Sequence, residues 1–154
     1  MTRECCCGGA EAGAGSTLPL RFGGKTSVTS GVPIDAEVEI LTVGSTATQP
    51  FGGADVELGD TALIGVPVEG GAVEVLLWTA RTQTFHPDAF ENVGCKGLME
   101  RPVVVVKSTN HFYGGFGPIA RSIHCASSSS LQLPHLLLAS LTLGCVPAQM
   151  WTRA

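Results

Sequence analysis

From Asp35 to Ile40 acidic and apolar residues alternate without a break: Asp35, Glu37 and Glu39 against Ala36, Val38 and Ile40. Successive side chains of a strand point to opposite faces, so this period of two predicts a strand with one wet face and one buried face. That single pattern commits the chain to a sheet. The surrounding segments agree with it. STLPLRF reads as a strand closed by the turn at Gly23, Gly24 and Lys25, and SGVP marks a further turn. TALIGVPV reads as a strand that Pro67 confines to an edge or a bulge. Gly70 and Gly71 link it to the β run AVEVLLWTAR as a hairpin, while FGGADVELGD before it reads as a loop.

The second half is less regular. Pro87 suits the first position of a short helix over FHPDAFENVG, and Gly94 suits its stop. RPVVVVKS carries an unbroken run of valines, which predicts a strand covered on both faces. From Ser127 onward the chain is Ser/Leu-rich, with a helix expected from about Leu136 to Leu143, or a tail outside the domain. The Cys/Gly/Ala-rich residues 1–11 read as a disordered lead-in. The expected class is α+β: a strand-rich, mixed α/β single domain with a few short helices.

Composition narrows the function. At 154 residues the chain has room for one domain with a real core. Charged residues make up only 14% and the net charge is −4, without basic clusters, which argues against nucleic acid and against an anionic membrane surface. The start lacks the apolar core of a signal peptide, and LPHLLLASLTLGCV falls short of the roughly 20 residues of a membrane span. The expected location is therefore the cytoplasm, with the six cysteines as free thiols. His86, His111, His124 and His135 share no metal-ligand spacing, so the chain is expected to bind no metal by itself.

The chemistry concentrates at the tip of the valine strand, VVVVKSTNHFYGGFGPIA. Lys107 and Ser108 are neighbours on an extended chain and face opposite ways, which argues against a Ser–Lys nucleophilic pair. Ser108 and His111 are better placed to meet, but no acidic residue in the stretch would orient the imidazole as a triad requires. For Ser108, Thr109 and Asn110, helix capping or turn formation is the plainer role. Phe112, Phe116, Ile119, Ala120 and Ile123 recur at helical spacing and read as a core face. Pro118 costs about 3 kcal/mol inside a helix, and Gly114 and Gly115 about 1 kcal/mol each, so HFYGGFG is expected to be a loop with the helix starting at Pro118. Lys107 beside a helix N-terminus would attract a carboxylate or phosphate, and His111 would donate a hydrogen bond there or act structurally.

These residues resemble the microcystinase C (MlrC) metallopeptidase family, in which a Lys-Ser pair is followed by His-Phe and then by a Phe-x-Pro-Ile-Ala segment. GAGSTLPLRFGGKTS is similar to the glycine-rich opening of that family's C-terminal domain, GVPIDAEVEIL to the strand that follows, and WTARTQTFHPDAFENVG to its Arg-x-Gln-x-Phe segment. The resemblance runs in order over residues 12–126, leaving 127–154 as a divergent tail. It implies a zinc-dependent hydrolase of small linear peptides whose zinc ligands lie in a separate N-terminal domain. This segment then corresponds to the C-terminal domain, expected to carry no catalytic residue and no metal ligand of its own. Its implied partners are that zinc-bearing domain, in cis or as a separate chain, and a peptide substrate. The substrate-facing candidates are Lys107, Ser108, His111, Lys25 and Arg81. Alone, the chain is expected to be inactive; the alternatives are a non-catalytic binding or interaction module and an inert gene fragment.

Overall fold

The computed structural model describes residues 13–24, 31–127 and 137–142, and it divides into two compact units. Of the described residues, one unit comprises those up to 82 with 88–95, the other 83–87 with those from 96 onward.

The first unit is built on an antiparallel sheet in the order β1-β2-β5-β6, with β1 at Thr17–Phe22, β2 at Ile34–Gly44, β5 at Thr61–Val68 and β6 at Gly71–Trp78. The alternation at Asp35–Ile40 appears as expected: Val38 and Ile40 are fully buried and the three acids are exposed. Phe22, Ala62, Ile64 and Leu77 join them in one core cluster on the same sheet face. Beyond Ile40 a strict period of two would turn Thr42 inward. Instead the register slips between Ile40 and Thr42, and Val43 packs against the core. A β-bulge that adds one residue exchanges the faces, keeping an apolar side chain inside and the threonine off it.

Two readings of this half are corrected. FGGADVELGD is not a loop: β3 (Thr48–Phe51) and β4 (Ala54–Glu57) form a hairpin whose two-residue turn is Gly52-Gly53. Both glycines hold positive φ, 61° and 85°, the requirement of a tight hairpin turn that follows strand twist. Nor is β5 an edge strand, since it lies between β2 and β6. Its pairing with β2 stops at Gly65, however, so Pro67 faces only Ala72 of β6. Proline is tolerated there because that end of an interior strand has one neighbour. The hairpin of β5 and β6 forms as expected. The short helix α1 spans Asp88–Glu91, just after Pro87 and before Gly94.

In the second unit β7 (Val104–Lys107), β8 (Ser122–Ser127) and β9 (Leu137–Thr142) form a sheet in the order β7-β9-β8. Both outer strands run antiparallel to β9, so β7 and β8 are parallel to each other and need a crossover. Helix α2 (Phe112–Phe116) lies in that connection. The expected helix over Leu136–Leu143 is therefore wrong; pairing on both sides overrides the helical propensity of leucine. The valine strand is also not covered on both faces. Val104 and Val106 are 6% and 1% exposed, but Val105, on the other face of β7, is 52% exposed. Among the described residues strands far outweigh helix, so the chain is strand-rich with short helices and mostly β.

Candidate functional site

The strand tip predicted to carry chemistry belongs to the second unit. Alternation along β7 turns Lys107 outward and Ser108 inward, where Ser108 is 4% exposed. The opposed faces expected of these two residues are present, and a Ser–Lys pair is not.

Ser108 and Thr109 do not cap a helix. Their hydroxyls donate to Oε1 of Gln83, both at 3.1 Å, and the Thr109 backbone N–H donates to the same oxygen at 3.0 Å. One side-chain carbonyl thus gathers three donors where the strand ends. The Ser108 hydroxyl is committed to this amide, which removes it as a nucleophile activated by His111. The N-cap of α2 is His111, with no capping hydrogen bond from its side chain.

Helix α2 runs through the two glycines, contrary to the expected start at Pro118, which follows it. Close packing is the reason. A Cβ on Gly115 would stand 2.6 Å from the Phe85 carbonyl oxygen and 2.8 Å from the His86 Cα. Only glycine lets the helix approach this backbone. Of the expected helical face, Phe112 and Phe116 are fully buried, but Ile119 and Ala120 follow the helix and are half-buried and Ile123 lies in β8; the Phe112 ring stacks on Tyr113 at 4.3 Å. With five residues, α2 contributes too little dipole to bind an anion, so any such attraction rests on the Lys107 charge.

His111 is exposed, its ring edge-on to Phe85 with centroids 5.9 Å apart and planes at 80°. Lys107 is exposed four residues earlier. The turn therefore presents a cation and an imidazole to solvent while its hydroxyls are held inside. Of the other candidates, Arg81 is exposed in the first unit after β6, and Lys25 lies outside the described residues.

Gln83 is the site residue that sequence reading missed. Its partners lie 25 and 26 residues away, and no local period announces such a bond. The one available signal was its place in the Arg-x-Gln-x-Phe segment.

The first unit has a separate hollow of about 250 Å³ between the end of β2 and the chain after α1, lined by Thr42, Gly44, Thr61, Glu91 and Asn92 among others. The Asn92 amide is already used, donating to the Thr48 carbonyl at 2.8 Å. Zinc, implied by the resemblance, does not fit the described residues, among which no three His, Cys, Asp or Glu side chains group to hold a metal. Cys95 is a buried free thiol and Cys125 an exposed one. Among the described residues no helix is long and apolar enough to cross a membrane.

Residues 4–136 match the family described as MlrC C-terminus. The chain is also 33% identical over 128 residues to Microcystinase C of Sphingomonas sp, covering 82% of this chain and 24% of that protein. It thus spans about a quarter of the length of the curated relative it matches.

Proposed function

The chain belongs to the MlrC C-terminus family, and from that premise we propose that it forms one wall of the substrate site of a microcystinase C-like peptide hydrolase. The zinc and its ligands are supplied by a separate N-terminal domain, in cis or as another chain. Lys107 and His111 face the peptide, the lysine meeting a carboxylate and the imidazole donating to a carbonyl or carboxylate oxygen. Arg81 and Lys25 are further candidates for contact with substrate. No catalytic step is assigned to this chain, because its described residues do not fit the metal.

The observation that carries this reading is the turn itself: Lys107 and His111 are both exposed at a junction whose intervening hydroxyls are fixed inside on Gln83. The test is a peptidase assay on the purified chain with a short linear peptide and added zinc. No turnover is expected, since the metal-activated water must come from the other domain. Zinc-dependent turnover by the chain alone would overturn the proposal.

A further inference from the structure

The turn that carries Lys107 and His111 is gripped from one side by a single segment, Gln83 to His86. At its start, the Gln83 carbonyl takes donors from Ser108 and Thr109. At its end, the Phe85 ring meets the edge of His111, and the Phe85 carbonyl and His86 lie against Gly115. Of the five residues from Lys107 to His111, Ser108 and Thr109 near one end and His111 at the other thus meet one short segment.

We propose that Gln83 is a positioning residue for this site, its amide oxygen setting the direction in which β7 exits and so where Lys107 and His111 point. The proposal rests on the reading that these two residues face a peptide. The Thr109 N–H and two hydroxyls would otherwise need other acceptors, and the turn would rotate to find them. A rotation about Ser108 and Thr109, which lie between the lysine and the histidine, changes where one stands relative to the other. Glutamate at position 83 retains an acceptor oxygen at the same reach, whereas leucine retains the shape without an acceptor.

The experiment titrates the purified chain with an N-acetylated alanine tripeptide bearing a free C-terminal carboxylate, following amide and imidazole resonances by NMR. In the wild type, peptide-induced shifts are expected at Lys107 and His111. Gln83→Leu is expected to weaken binding roughly tenfold, the equivalent of losing about one hydrogen bond's net contribution. Gln83→Glu is expected to restore binding towards the wild-type value, which a residue serving only to fill space would not show. If Gln83→Leu fails to fold, Thr109→Val removes one of the three donors and leaves the Thr109 backbone N–H and the Ser108 hydroxyl on Gln83, and its binding decides instead. Wild-type affinity in Gln83→Leu, or in Thr109→Val where the leucine variant does not fold, overturns the positioning role alone. Absence of peptide-induced shifts in the wild type overturns the peptide reading and the positioning role with it.

Discussion

Gly115 lies against Phe85 so closely that a Cβ would stand 2.6 Å from the Phe85 carbonyl oxygen. Its neighbour Gly114 has open space, with nothing within 4 Å of the same notional atom. The two glycines of α2 therefore differ in kind. Alanine at either gains up to roughly 1 kcal/mol of helix propensity. At Gly115 the clash is with backbone, which cannot swing away, and overpacking of this kind costs about 1–3 kcal/mol. Gly114→Ala should leave stability unchanged or slightly raised in denaturant unfolding, while Gly115→Ala should lose on the order of 1–2 kcal/mol. Equal stability of the two variants would contradict the close approach.

The valines of β7 make a second pair of opposites. Val106 is 1% exposed and Val105 52% exposed. Val106→Ala should cost about 1–3 kcal/mol through lost burial and the cavity left behind. Val105→Ala should fall within roughly 0.5 kcal/mol of the wild type, as surface substitutions do. Comparable losses at both positions, read from unfolding midpoints, would restore the expectation that the strand is covered on both faces.

Tyr113 is the chain's one tyrosine, which makes its ionisation readable by phenolate absorbance. Its hydroxyl lies 3.7 Å from the Cys125 sulfur. That hydrogen bond, followed by repulsion from the thiolate, raises the phenol above its ordinary pKa of about 10. A raised acid favours the folded state while it is protonated. The stabilisation is thus present below the ordinary tyrosine pKa and is lost as pH climbs through the raised one. Cys125→Ala should bring the titration midpoint back down; an unchanged midpoint would show that the contact does not act on Tyr113.

Much of the sheet was legible because its cause is local. The alternation at Asp35–Ile40 and the Gly70-Gly71 connection each express their structure within a few residues. The misreadings have non-local causes. The Gly52-Gly53 hairpin carries its own turn signal, but its strands have four residues each, too few for a period to stand out from a loop. The strand Leu137–Thr142 is decided by partners on both sides, and its leucines alone suggest a helix. The glycines of α2 look like helix breakers until the backbone they press against is known. At the site, that Lys107 and Ser108 face opposite ways followed from strand geometry. The acceptor that holds Ser108 did not, since Gln83 is distant in sequence.

The central claim is that the turn between β7 and α2 meets a peptide through Lys107 and His111. The most direct measurement is a chemical-shift titration of the purified chain with a linear peptide carrying a free C-terminal carboxylate, repeated on Lys107→Gln. The account predicts shifts centred on residues 107–111 that are lost in Lys107→Gln while the remaining spectrum stays that of the folded chain. No shifts in this segment, or the same shifts in the variant, would contradict it.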